Sequence, residues 1–306
     1  MKRISLFLLP MAFVSLVFAS MTTFAQTEKP EKISLRITPK PDQSVRLRMV
    51  TEMDIEMNFE GAAASEQAAL PPMKMQMKSA TTFTQKTGPL DKQNRFEMEL
   101  VYDDVSAEMM MNGNAFPVGD EMAKLKGMKI KVTMDQSGNI FDVQAPKEAQ
   151  MDAATFKELL KSLYGALPTE LMAVGETATV PLTMALSLPL PGSNGPLNLQ
   201  GSSKIKLLAI EKEGTNRLAK LETVSEARMT SVLDFPSPNG PAKMKMDFSM
   251  TGGGPSSINL DNATVKTNDL IMTLQGKMSP APESADAKLP TMALKGTVKT
   301  IVTSVN

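Results

Sequence analysis

The 306 residues contain no cysteine, no histidine and no tryptophan, and only 2 tyrosines. Each absence removes a class of chemistry. Without Cys there is no disulfide, no thiolate nucleophile and no acceptor for a lipoprotein anchor. Without His the usual general base, the commonest transition-metal ligand and the physiological pH switch are missing. Ser-His-Asp and Cys-His catalysis are thereby excluded, as are Cys/His zinc sites. Carboxylate chemistry and oxygen or thioether ligation survive. Lys+Arg and Asp+Glu balance at 33 each, so a basic face for nucleic acid is not expected.

The chain opens with Lys2 and Arg3, an apolar stretch from Ile4 to Ala19, and the small-residue exit Thr23-Phe24-Ala25 before Gln26. That order predicts a secretory leader over 1–26, cleaved near Ala25 or Gln26. The stretch is short for a membrane span, which takes about 20 residues, and no later segment approaches that length. Residues 1–26 carry two bases and no acid, so the remainder has a formal charge of −2. A periplasmic or secreted chain of residues 27–306 is expected, not transmembrane once the leader is gone. It is long enough for one large β-rich domain or for two packed halves.

What the chain has in excess is methionine, 26 residues, and much of it lies in alternating segments. In 45–59, Val45, Leu47, Met49, Met53, Ile55, Met57 and Phe59 share one face, while Arg46, Arg48, Glu52, Asp54, Glu56 and Asn58 share the other. Period two means a strand with one buried and one wet face. At about 3.4 Å per residue this strand is roughly 50 Å long, which suits a large curved antiparallel sheet. Met73, Met75 and Met77 alternate with polar residues, as do Phe96, Met98, Leu100 and Tyr102; Met128–Met134; and Met244, Met246, Phe248 and Met250. Turn clusters divide these runs in the manner of hairpins, among them Ser137-Gly138-Asn139, Glu213-Gly214-Thr215-Asn216 and Pro236–Pro241. Gly252-Gly253-Gly254-Pro255 reads as another turn, and Ser279–Pro290 as a polar loop.

One segment has a different period. Phe156, Leu159, Leu160, Leu163, Tyr164 and Leu167 follow helical spacing, with Asp152 as N-cap and Gly165 as the C-terminal stop. An amphipathic helix near 153–165 is predicted to lie on the sheet or inside its curve. Lys129–Val132 before its turn loosely echoes Lys204–Leu207 before its own. The echo suggests two similar halves, 33–150 and 171–303.

The methionine stripes admit two readings. Thioethers are ligands for soft ions such as Cu(I) or Ag(I). They also fill cores and line pliable apolar surfaces that accept varied ligands. Glu52, Asp54 and Glu56 stand at a spacing open to two-carboxylate hydrolysis, but they lie on the wet face and few aromatics accompany them.

The order of these features resembles a family of secreted bacterial proteins of unknown function. A leader and long alternating strands come first. Leu125-Lys126-Gly127 then precedes the Met128–Asp135 strand, and Ser137-Gly138-Asn139, a single helix and Val174-Gly175-Glu176 follow. The layout is also similar to the curved half-barrels of bacterial lipoprotein carriers. The resemblance implies a periplasmic or secreted setting and no catalytic residue.

The expectation is therefore a mainly β (α+β) protein: a long antiparallel curved sheet or half-barrel with one helix. It is expected to be a non-catalytic binder of an apolar, lipid-like molecule or an envelope partner, with no cofactor and no metal. The residues expected to line its interior are Met49, Met53, Ile55, Met57, Phe59, Phe96, Met98, Leu100, Met244, Met246 and Phe248, with Leu160 and Leu163 from the helix. A soft-metal binder and a structural interaction module remain as alternatives.

Overall fold

The alternating segments pair into one very wide antiparallel sheet. The computed structural model describes residues 31–41, 43–60, 72–118, 123–146, 157, 167–186, 197–235, 242–261, 264–287, 289 and 291–305. The strands are β1 (Lys32–Ile33), β2 (Ser44–Glu60), β3 (Met73–Thr87), β4 (Arg95–Met111), β5 (Asn114–Phe116), β6 (Lys129–Asp135), β7 (Ile140–Gln144), β8 (Met172–Ala173), β9 (Thr177–Leu186), β10 (Leu197–Glu213), β11 (Asn216–Phe235), β12 (Ala242–Asn259), β13 (Thr264–Pro280) and β14 (Thr291–Val305). A 3-10 helix, Pro282–Ala287, precedes β14. The leader, and the expected helix near 153–165 apart from Lys157, lie outside the described residues.

Twelve strands make one sheet in the order β7-β6-β4-β3-β2-β14-β13-β12-β11-β10-β9, with β5 bonded to β4, and the short β1–β8 pair stands apart. The sheet is a mainly β, antiparallel structure as expected, and it is open: β7 and β9 are its two edges. Pro181 sits in the edge strand β9, where a missing N–H is tolerated. The first and last long strands meet in the middle, from Thr291↔Glu60 to Val305↔Arg46. Residues Lys32–Asn306 form one compact unit.

One face of the sheet, called inner here, is apolar. Ile55, Ile130, Met134, Leu199, Leu207, Met246 and Leu274 are fully buried on it. Burying each such side chain stabilises the fold by about 1.5–3 kcal/mol. The opposite, outer face carries ion pairs such as Lys78–Glu52 at 3.1 Å, Lys131–Glu97 at 3.0 Å and Lys295–Glu56 at 3.5 Å, all surface pairs of small individual worth.

Three expectations need correction. Gly252-Gly253-Gly254 is no turn: it lies inside β12 and pairs with Ser225, Val224 and Thr223 of β11. Ser279 and Pro280 belong to β13, and the 3-10 helix occupies most of the expected loop. Finally, β4 runs on to Met111. A bulge opposite Thr82 and Phe83 shifts its alternation, so the inner side chains change from Phe96, Met98, Leu100 and Tyr102 to Val105, Ala107 and Met109. β5 follows through Asn112-Gly113, both at positive φ, the signature of a type I′ hairpin.

Candidate functional site

Register shows what the inner face holds at each level. At one end of the sheet, β2, β3, and β10 to β14 contribute a single cluster: Met53, Ile55, Met57, Met75, Leu199, Met244, Met246, Phe248, Met250, Met272, Leu274, Met278 and Leu294. Met73, Met77, Met109, Met229 and Met292 pack against it. Thioethers stand directly opposite one another, as Met53↔Met77↔Met109 and as Met246↔Met278↔Met292. We call this the methionine end.

The other end is different. Leu47, Phe83, Phe96, Met98, Leu100, Ile130, Val132 and Met134 form a second cluster. Ile33, Leu35, Met172, Ile205, Leu207 and Leu221 form a third. The segment from Lys32 to Ile37 crosses this end as a strap. Ile33 pairs with Met172, Leu35 is buried to 1% exposure, and Ile37 N–H donates to the Gln136 carbonyl at 2.7 Å. Glu176 secures the strap's partner. Its carboxylate accepts the Ala173 N–H at 2.8 Å and faces Lys32 at 3.2 Å, and these contacts, the Ala173 bond foremost, hold its pKa below the usual value.

Between the two ends runs a belt of small and hydroxyl side chains, interrupted at β13 by Leu270 and Met272. Thr300, Thr51, Ser79 and Ala107 are directly opposed across β14, β2, β3 and β4. On the far side of the sheet Ser203 and Ser225, both buried, share a 2.7 Å hydrogen bond, and Gly252 stands opposite Ser225. This belt, invisible in a strand-by-strand reading, separates the expected lining residues into two groups. Met53, Ile55, Met57, Met244, Met246 and Phe248 converge at the methionine end. Phe59 flanks them on the same face, opposite Met292. Phe96, Met98 and Leu100 belong to the second cluster, and Met49 packs against that one. Leu160 and Leu163 lie outside the described residues.

A void of about 10 Å³, room for at most one water, is lined by Met57, Phe248, Lys277, Met278, Met292 and Leu294. Five of these are apolar, and one is a lysine on the outer face. Sequence reasoning missed Lys277, Met278, Met292 and Leu294. The alternation of Leu274, Gly276 and Met278 was available to find part of that set.

The carboxylates of the outer face are tied to neighbours. Glu52 pairs with Lys78, and Asp54 accepts from Gln76 Nε2 at 3.1 Å. Glu56 accepts from Asn58 Nδ2 at 3.1 Å, which with Lys295 holds its pKa below the usual value. Asp103, at the β4 bulge, accepts from Thr84 Oγ1 at 2.7 Å and Arg46 Nε at 3.2 Å. Among the described residues no group of three or more Asp or Glu side chains converges as a metal site. Likewise, among those residues no helix is long and apolar enough to cross a membrane.

No protein-family model and no curated protein matches the sequence. Among solved structures, one described as "lipid-protein interactions in lipovitellin" is similar over 88% of this chain and 26% of that one, at 9% identity and a TM-score of 0.43. This chain thus spans about a quarter of that protein's length. A likeness at that level assigns neither a fold family nor a function.

Proposed function

We propose that the protein is an exported, non-catalytic binder of an apolar or amphiphilic ligand, taken up at the methionine end of the inner face. The observation that supports this reading is the concentration of thioethers from β2, β3, β12, β13 and β14 in one cluster, of which Met57, Met278 and Met292 line a small void. Met has three rotatable bonds and a polarizable sulfur, so a cluster of them repacks around a guest more readily than Leu or Val does. The strap end holds the stiffer branched side chains and is closed by buried Leu35. Uptake therefore belongs at the end where Met57, Met278 and Met292 give way.

Methyl-labelled methionine NMR tests this with lysophosphatidylglycerol as the probe. Saturable shifts confined to methyls of the methionine end, such as Met57, Met278 and Met292, while Met98 and Met134 stay still, are the expected result. Uniform shifts, or none, oppose the reading.

A second reading rests on the directly opposed triplets Met53–Met77–Met109 and Met246–Met278–Met292. Three thioethers on neighbouring strands suit a soft monovalent ion. Titration with Ag(I) against a competing chelator decides it: binding lost in Met77→Leu/Met109→Leu supports a metal site, and no uptake by the wild type ends it.

A further inference from the structure

Methionine is the most readily oxidised side chain this protein has. The chain lacks cysteine and tryptophan, so no thiol competes for a two-electron oxidant and none can reverse the product from within. Exposure then decides which thioethers an oxidant reaches.

That exposure is graded along the rows of the inner face. Met53, Met77 and Met109 are directly opposed across β2, β3 and β4, and the row ends at Phe116 of β5. Met53 is 8% exposed, Met77 and Met109 are partly buried, and Phe116 is 50% exposed. In the next row Ile55 and Met75 are fully buried, while Met111, opposite Met75, is only partly so. Met110 stands between Met109 and Met111 and belongs to the outer face, opposite Gln76 and Ala115. At 44% it is the one methionine in the exposed class among the described residues. The β4–β5 hairpin therefore holds three consecutive thioethers at the wet rim of the cluster, and two of them lead inward.

Oxidation has a different consequence at each. A sulfoxide on Met110 meets water. On Met109 or Met111 it sets a polar oxygen beside Met77 or Met75, whose thioethers have no hydrogen to donate. The rows must then part at their β4 edge for water to reach that oxygen.

We propose that Met109, Met110 and Met111 form a reversible oxidation site that loosens the methionine end. Each sulfur takes one oxygen atom from hydrogen peroxide. The O–O bond breaks, the sulfur gives up two electrons, and the second oxygen leaves as water. Reversal falls to methionine sulfoxide reductases, one for each sulfoxide epimer, with an external dithiol as reductant; the dithiol becomes a disulfide and the oxygen leaves as water. The site stands whether or not a ligand binds at the methionine end.

Limited treatment of the purified protein with hydrogen peroxide, quenched and followed by tryptic mass mapping, is the test. Cleavage after Arg95 and Lys124 leaves Met98 on the same peptide as the triplet, and Met98, 1% exposed, is the internal control. Oxidation of Met110 first, then of Met109 and Met111, with Met98 untouched, is expected. The unfolding temperature is expected to fall by about 5 °C once Met109 and Met111 are oxidised, and to recover with the mass after treatment with both reductases and dithiothreitol. Met109→Leu/Met111→Leu conserves volume and is expected to keep the oxidation of Met110 but lose the fall in unfolding temperature. Oxidation that reaches Met98 as fast as Met110 overturns the proposal. So does an oxidised protein as stable as the untreated one, a fall that the reductases leave in place, or a double variant that responds as the wild type does.

Discussion

The ring of Phe248 occupies the place where a side chain on Gly276 would stand. The two residues are directly opposed on the inner face of β12 and β13, and a Cβ on Gly276 would overlap Cε1 and Cδ1 of the ring. The aromatic thus covers a strand glycine whose missing side chain would otherwise leave a gap. It also belongs to the wall of the small void at the methionine end.

Each member of that pair depends on the other. Phe248→Ala is expected to destabilise the fold by about 3–5 kcal/mol, the range for truncating a buried aromatic. Gly276→Ala alone is expected to cost about 1–3 kcal/mol by overpacking against the ring. In the Phe248→Ala background the added methyl finds space, so Gly276→Ala should then cost less. Urea denaturation of the four proteins measures the coupling, and strict additivity would contradict the contact.

Gly253 separates the strand from the turn that its sequence suggests. In an exposed turn, Gly→Ala is mild at a negative φ. Within β12 the new Cβ meets the Thr223 carbonyl, so Gly253→Ala is expected to lower stability by more than about 2 kcal/mol. A shift in the urea midpoint too small for that places the segment outside the sheet.

The buried hydroxyl pair of the belt shows the asymmetry of polar burial. Ser203→Ala leaves the Ser225 hydroxyl without its partner and is expected to cost about 1–3 kcal/mol. Ser203→Ala with Ser225→Ala removes both groups and is expected to be more stable than either single variant is. Thermal unfolding of the three variants tests the order.

The dependence of stability on pH should have a broad flat top. Three carboxyls are held below their usual values: Glu56, chiefly by the Asn58 hydrogen bond; Glu176, chiefly by the Ala173 N–H; and Asp247, chiefly by the Thr230 hydroxyl. A depressed pKa stabilises the fold above the unfolded values of 4.5 for Glu and 3.8 for Asp, and that stability is lost as pH falls through the folded values. Tyr102, raised by burial, and Lys131, raised by Glu97, act in the opposite sense. Their contribution is complete below the unfolded values of 10.0 and 10.5 and is lost as pH rises through the folded ones. With no histidine in the chain, little titrates between. The unfolding temperature is expected to be level from about pH 5 to about pH 9 and to fall on both sides. A step near neutral pH would contradict this.

How much of this could be read from the chain varies with the element. β2 was legible along its whole length because 45–59 alternates without a bulge. β4 was legible only to Tyr102, since the bulge opposite Thr82 and Phe83 swaps which residues face inward. β5 was signalled by Asn112-Gly113, the strongest short hairpin mark, which the longer turn clusters overshadowed. Gly252-Gly253-Gly254-Pro255 has turn composition, and only its pairing with β11 shows it to be strand. The inward set of the methionine end follows from period two. That Met53 meets Met77 and Met109, that Thr51 meets Thr300, and that β14 joins β2 are matters of register between distant segments, which periodicity within one strand does not encode.

The central claim, that the methionine end takes up an apolar or amphiphilic molecule, is tested most directly by native mass spectrometry. The protein is purified gently from the envelope or secreted fraction of its own cells and measured before and after solvent extraction. Excess mass that departs with the solvent, identifies as lipid, and is reduced in Met57→Gln/Met278→Gln is the expected result. A clean protein mass that stays clean after incubation with lipid vesicles would contradict the claim and leave the cluster as a packed core.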